Sequence, residues 1–490
     1  MKMVAKNKLI RIFNVVFCGI FYYLLILAVG KMNLQSPISA LLAIPYFYFL
    51  YNIIKKENVC TFNVKKTWCI LQAVSCIVML IMAYQLRVAV SWDWGQLLRT
   101  AYNYIMIGEI DNPEYFMRYP FNQIWLVCLI ALFKIVSKCT ASLDFAVYKA
   151  VSMVVGICLI QITICFIYKT AKLIWDERKA FLVGIFSLLY VPFYLYSMFL
   201  YTDIPGVCLA ALLMYCEVKI CRTEGKKRYF YISMFGVLGA LIFRIKMVTF
   251  IAFIAVIIVF IFKNICSFSK ILIILLCFLG SYLLIGMVDN ILGIDENETA
   301  QYKFPFTHCI MMSLNTTGGY NGDDVNYTAS FDTYDEKKEA NILKIKERIA
   351  DYGFTGTVKH ILYTKQCRTW ANSCLDGDNY VSRWPVLEAS LCQKIFSQNG
   401  KWHWTCLVYT WLVHITILVG MLLSATLSIK KEMLEQQSLG GRIAVFGIFL
   451  FLSIWECNSR YLLTLMPIMI LTAADGLFTA YNRISLLKGK

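Results

Sequence analysis

Long apolar blocks recur along this chain at the length that crosses a bilayer, and that one feature leaves its backbone few solutions. Inside hydrocarbon each unpaired peptide N–H or C=O costs several kcal/mol, so a spanning segment must be a helix or part of a closed barrel. A barrel strand needs only ~9–11 residues, whereas a helix needs ~20. The blocks near 8–30, 36–54, 67–88, 146–168, 179–200, 204–220, 228–243, 247–263, 270–287, 404–427, 440–457 and 461–481 approach the helical length. The expected fold class is an all-α polytopic membrane protein with about 12 transmembrane helices.

Basic residues decide how the blocks are threaded, because Lys and Arg concentrate in cytoplasmic loops. A thirteenth apolar run, 121–137, is ambiguous. Counted as a span, it puts "KTAKLIWDERK" (169–179) and "KICRTEGKKR" (219–228) outside. Laid in the outer interface, it leaves about twenty-five Lys and Arg in the inner segments and about four in the short outer turns. Lys134 and Lys138 near its end suit an interfacial helix whose long cations reach back to water. Both termini then face the cytoplasm. "MKMVAKNKLIR" has no small-residue cleavage site after it and reads as the flank of a retained first helix. The formal charge of +17 is spread between apolar blocks rather than gathered on one face, which excludes nucleic acid as a partner and leaves the bilayer.

In that topology two long loops face outward, 89–145 and 288–403. The chain divides into a transmembrane core, 1–287, that carries the first loop; an extracytoplasmic domain, 288–403; and C-terminal transmembrane helices, 404–490. Within the domain, "TYDEKKEANILKIKERIADYG" (333–353) predicts a helix. Thr333 and Glu336 have capping-box spacing, Ile342, Ile345, Ile349 and Tyr352 form an apolar stripe, and Gly353 is placed to end it. A second amphipathic piece is expected from Thr357 to Trp370. Most of the nineteen cysteines lie in apolar blocks and act as small hydrophobes. No spacing of Cys and His suggests zinc, while Cys309, Cys367, Cys374 and Cys392 share the polar segment and are candidates for disulfides.

The ionisable residues near the membrane fall at one depth. Asp93 follows the third span between two tryptophans in "SWDWGQLLRTAYNY", and Asp203 lies in the turn "YTDIPG". Arg244 and Lys246 form the turn "FRIKM", and Glu456 and Arg460 lie in "WECNSRY". The first loop adds Glu109, Asp111, Glu114, Arg118 and Tyr119. Ion-coupled transporters instead place ionisable groups near the midplane. Mixed charge at the outer surface suits an enzyme acting on a lipid-linked substrate: carboxylates accept a proton, and cations hold a phosphate leaving group. Blander readings stand beside each. Asp93 reads equally as a solvated loop acid, Asp203 as an N-cap of the Pro205 helix, Arg244 and Lys246 as snorkelling cations, and Glu456 with Arg460 as a local ion pair.

"SWDWGQLLRTAYNY" followed by "EYFMRYPFNQ", then "YTDIP", "FRIK" and "ECNSRYLLTLMP", resembles the GT-C superfamily of integral-membrane glycosyltransferases. The branch it resembles is the family 39 type, with protein O-mannosyltransferases and lipid A aminoarabinose transferases, in a Gram-positive bacterial form. That resemblance implies a GT-C fold with a juxtamembrane helix at 121–137. It also implies transfer of a sugar from a polyprenyl-phosphate carrier to a cell-surface hydroxyl acceptor outside the membrane. It maps the catalytic acid/base onto Asp93 and the acid of the "T-D-x-P" turn onto Asp203. Substrate-binding roles fall to Glu109, Arg118, Tyr119, Arg244, Lys246, Glu456 and Arg460. Protein mannosyltransferases usually carry adjacent acids in the first loop; here Trp94 follows Asp93, so a protein acceptor is not implied. A transporter or flippase for lipid-linked sugars is the alternative class.

No cofactor is certain. Some members of that superfamily bind a divalent cation near the site, which makes His308 a candidate ligand, although a lone histidine is more often structural. "GGYNGDDVNYT" (318–328) lacks the calcium-loop spacing, and no Rossmann or Walker pattern occurs, which fits a lipid-linked donor better than a soluble nucleotide sugar.

Overall fold

The computed structural model describes residues 2–35, 37–55, 63–140, 144–294 and 296–488. Their regular elements are helical, with a single isolated bridge between Val88 and Pro385. Ten helices among the described residues are long and apolar enough to cross a membrane, and Met247–Phe262 and Leu439–Ile454 are shorter apolar helices.

The first three long helices are α1 (Lys2–Gln35), α2 (Pro37–Lys55) and α3 (Val64–Gln85). The loop after them folds as α4 (Trp92–Ile107), α5 (Pro113–Arg118) and α6 (Gln123–Cys139). The chain continues in α7 (Phe145–Ile174), α8 (Glu177–Leu188), α9 (Val191–Tyr196), α10 (Asp203–Arg222), α11 (Gly225–Ile245), α12 (Phe250–Phe262) and α13 (Phe268–Asp289). The block expected as one helix over 179–200 is α8 and α9. Tyr190 has extended dihedrals and Pro192 restarts the helix, since proline is tolerated only in a first turn.

α6 lies across one end of the bundle. Near its start, Trp125 Nε1 donates to Leu200 O at 3.3 Å; in its second half, Phe133 packs on Tyr148 with centroids 5.1 Å apart. Tyr148 belongs to the first turn of α7, and the neighbouring Lys149 donates to Val88 O at 2.5 Å, just past α3. A 17-residue helix with both halves at one end of its neighbours does not run alongside them. This is the geometry expected of the interfacial helix, although Pro120–Cys139 has the length and composition of a span.

The segment after α13 forms α14 (Glu296–Tyr302), α15 (Phe306–Ser313), α16 (Gly322–Ala329), α17 (Tyr334–Lys359), a π-turn over His360–Thr364, α18 (Lys365–Trp370), α19 (Gly377–Tyr380) and α20 (Leu391–Phe396). The capping box is present: Glu336 N donates to Thr333 Oγ1 at 3.2 Å and Thr333 N to Glu336 Oε2 at 3.0 Å. Gly353 breaks α17 at φ 60°, and the helix then resumes into the second piece. Ile342, Ile345 and Tyr352 of the expected stripe are half-buried and Ile349 is exposed, while the most buried positions of the helix are Lys337, Ala340 and Asn341. Polar contacts explain the shift: Lys337 Nζ reaches Gln301 O at 2.7 Å, and Asn341 Oδ1 accepts from Thr328 at 2.9 Å. α18 is sunk into the bundle. Lys365 Nζ donates to Ser453 O and Trp455 O, and the buried Trp370 packs on Phe21.

The last helices are α21 (His403–Thr426), α22 (Leu439–Ile454) and α23 (Met466–Lys488), the last entered through a 3₁₀ segment, Ser459–Leu465. Both described chain ends sit at the bundle end opposite α6: Lys6 Nζ donates to Phe262 O, and Arg483 Nη2 to Leu427 O. α21 and α23 touch backbone to backbone, because a side chain at Gly476 would collide with Gly420 O. Small residues make such close helix contacts possible in lipid. Gly476→Leu is expected to cost about 1–3 kcal/mol by overpacking, read as a lower thermal unfolding midpoint in detergent. Gly19→Leu, which meets open space, leaves the midpoint unchanged.

Candidate active site

Three chain turns far apart in sequence meet at the α6 end of the bundle. The first is "MFLYTDIPG", buried from Met198 through Gly206. Asp203 opens α10, yet its carboxylate caps nothing: Thr202 is the N-cap, and no side-chain cap bond forms. Instead Asp203 Oδ1 pairs with Lys246 Nζ at 2.8 Å and Oδ2 faces Arg460 Nε at 3.6 Å. All three side chains are at most 10% exposed. Lys246 ends α11 with φ −150° and ψ 85°, which turns it toward α10. Gly206 leaves room there for its stem, since a Cβ would stand 3.1 Å from Lys246 Cβ. Burial lowers the Lys246 pKa, and the Asp203 charge opposes that fall.

Arg460 comes from the 3₁₀ segment before α23, where Asn458 Oδ1 accepts from its backbone N at 2.9 Å. Its guanidinium sits among four rings: Trp92 at 5.2 Å, Tyr201 and Tyr380 at 5.4 Å, and Tyr461 at 5.9 Å. Aromatic faces favour a cation taken out of water. Trp92 reaches this cage from a backbone with φ 45°, a strained conformation for a residue with a side chain.

Asp93 stands one residue further, in the first turn of α4, half-buried. Tyr115 OH donates to its Oδ1 at 2.8 Å and Tyr201 OH to its Oδ2 at 3.4 Å, while Asn122 Nδ2 donates to Tyr115 OH at 2.9 Å. Burial, and then the Asp93 charge, push the Tyr115 phenol well above its usual range, so it stays a donor. Tyr201 thus touches Asp93 through its hydroxyl and flanks Lys246 and Arg460 with its ring. Glu456 is buried nearby; burial raises its pKa, and Arg460 and Arg368 oppose the rise.

The structure gathers Asp93, Asp203, Lys246, Glu456 and Arg460, and separates the other expected residues from them. Arg244 turns to α13, its guanidinium 4.1 Å over the Tyr282 ring and donating to Tyr282 O at 3.4 Å. Glu109 is exposed just beyond α4. Arg118 stacks 5.3 Å over Phe304, and Tyr119 packs on the same ring and on Tyr115, so both shape the loop beside the site. His308 bonds Thr328 Oγ1 through Nδ1 at 2.7 Å, burial holds its pKa down at about 4, and it belongs to no cluster of three or more possible metal ligands among the described residues. The local ion pair between Glu456 and Arg460 does not form, because Arg460 is committed to Asp203 and the ring cage. Nor do the candidate cysteines pair: Cys309, Cys367, Cys374 and Cys392 are all free.

Sequence reading missed the cage rings and Arg368. Arg368, on α18, lies against Gly319, where any side chain would strike its guanidinium, and makes no hydrogen bond or ion pair with the described residues. Its field reaches Glu456 and Asp376.

The fold and the polar cluster at one end of the bundle define a multi-pass, all-α integral membrane protein. The chain belongs to the family described as conserved hypothetical integral membrane protein, whose profile matches residues 11–477. No curated protein matches it significantly. Among solved structures it is similar to the archaeal oligosaccharyltransferase AglB from Archaeoglobus fulgidus in complex with an inhibitory peptide and a dolichol-phosphate, at 13% identity and a TM-score of 0.42, over 87% of this chain and 52% of that one. A second structure, the Archaeoglobus fulgidus oligosaccharyltransferase tethered to an acceptor peptide, is 14% identical with a TM-score of 0.40, over 85% of this chain and 50% of that one. The chain spans about half the length of these two proteins.

Asp203→Asn leaves Lys246 and Arg460 buried beside a neutral partner. Removing one member of a buried ion cluster costs about 3–5 kcal/mol, so this variant is expected to lose much of its thermal stability in detergent. A midpoint equal to wild type would show that the cluster is solvated.

Proposed function

We propose that the protein is an outward-facing glycosyltransferase of the GT-C, family 39-like type, which moves a sugar from a polyprenyl-phosphate carrier to a hydroxyl acceptor on a cell-surface glycan, lipid or protein. In this reading both termini are cytoplasmic. The Lys- and Arg-rich segments 169–179 and 219–228 lie at the bundle end opposite the cluster, which supports an exterior site. The observation that carries the proposal is one set of contacts. Tyr201 bonds the half-exposed Asp93 and flanks Lys246 and Arg460, so a proton acceptor and two cations share one location.

The acceptor oxygen attacks the anomeric carbon, the carbon–oxygen bond to phosphate breaks, and the hydroxyl proton passes to Asp93. The phosphodiester carries one negative charge and the departing polyprenyl phosphate gains a second. Lys246, Arg460 and Arg368 outweigh Asp203 and Asp93 by one positive charge, and by two once Asp93 has taken the proton. That surplus suits the developing anion.

Asp93→Asn is expected to lower turnover by about 10²–10⁴ with a labelled polyprenyl-phosphate sugar in vesicles, while insertion and thermal midpoint stay near wild type. Near-normal turnover would remove Asp93 from the chemistry. In cells lacking the protein, loaded carrier with its sugar outside is the expected result; sugar facing inward would instead indicate a flippase.

A further inference from the structure

Away from the Asp93 cluster, a second group of polar side chains joins the segment before α21 to that helix. The ligand atoms of Cys374, Asp378 and His403 lie within 4.8 Å of one another. His403 Nε2 is 3.1 Å from Asp378 Oδ2. Asp378 is 4% exposed, yet its Oδ1 has no hydrogen-bond partner among the described residues. Cys374 Sγ also stands 3.4 Å from Thr410 Oγ1, which donates to Cys406 O. His403, Cys406 and Thr410 are spaced three and four residues apart, so they share one face of α21. The buried Cys406 thiol lies against that of Cys374. The turn that delivers Cys374 and Asp378 is strained: Leu375 and Asp376 have φ of 52° and 66°.

We propose that Cys374, Asp378, His403 and Cys406 form a zinc site that staples this turn to the start of α21. Two thiolates, an imidazole and a carboxylate are zinc ligands, and a thiolate-rich set disfavours magnesium, calcium and manganese. Tetrahedral bonds of about 2.0–2.3 Å put ligand atoms about 3.3–3.8 Å apart, a modest contraction for Cys374, Asp378 and His403, with Cys406 drawn in from beside Cys374. Binding the dication displaces the thiol protons and offsets the cost of holding the carboxylate out of water. The staple also has a consequence for the cage. Tyr380 follows Asp378 by two residues and forms one wall around Arg460, and Tyr196 OH fixes the same turn by donating to Leu375 O at 2.5 Å. The zinc is structural, separate from the proposed transfer, and does not depend on it.

The test is metal analysis of the full chain, purified in detergent without chelator from zinc-supplied cells. About one zinc per chain is expected, with two sulfur ligands near ~2.3 Å and two nitrogen or oxygen ligands near ~2.0 Å by X-ray absorption. Cys374→Ser and the double variant His403→Ala, Cys406→Ser are expected to fall below about a third of that content, while Cys139→Ser, at an exposed cysteine, retains it. Where the ligand variants fail to fold, the wild-type content and ligand set decide. Wild type without zinc, or a disulfide joining Cys374 and Cys406 under non-reducing alkylation, overturns the proposal. Zinc that persists in both ligand variants does so as well.

Discussion

One carboxylate shared by two cations organises the end of this bundle. Asp203 draws Lys246 from the end of α11 and Arg460 from the approach to α23, and all three are withdrawn from water. Desolvating such charges costs several kcal/mol per ion, and apolar residues of similar size often hold helices as well or better. Stability alone therefore does not account for them. The excess of cations over Asp203, next to the Asp93 carboxylate, matches what the proposed lipid-phosphate donor requires.

The rest of the fold serves to enclose that point. α6 lies across the bundle end, the break between α8 and α9 leads into the buried turn before Asp203, and α18 sinks between α1, α21 and α22 to bring Arg368 close. Aromatic rings fill the space between the charges. Tyr201, Tyr380, Tyr461 and Trp92 replace water around Arg460 with quadrupoles that favour a cation, so the guanidinium stays charged without a full hydrogen-bond shell.

Much of this architecture was legible because lipid imposes a coarse code. Block length, loop charge and the capping box of α17 each follow from local physics, and the structure has the elements they imply. The charged turns were legible too, but not which charge turns inward. Arg244 and Lys246 are two residues apart, about 200° around a helix, and the direction of each follows from where α11 stops. The most buried part of α17, Lys337 and Asn341, escaped detection because it is polar. Arg368 escaped because its position depends on a helix entering the bundle after a long excursion, and Cys374 with Cys406 because their contact is set by tertiary packing rather than by spacing. "HWTC" at 403–406 was the one local trace of that cluster.

In the proposed reaction the Asp93–Asp203 cluster receives a lipid phosphate. The most direct measurement is a structure of the protein in a lipid nanodisc with polyprenyl monophosphate. Phosphate density is expected at the α6 end, in contact with Lys246, Arg460 or Arg368 and within reach of Asp93. Density at the opposite end of the bundle, or only in the apolar groove lined by Phe47, Phe186 and Tyr409, would contradict it.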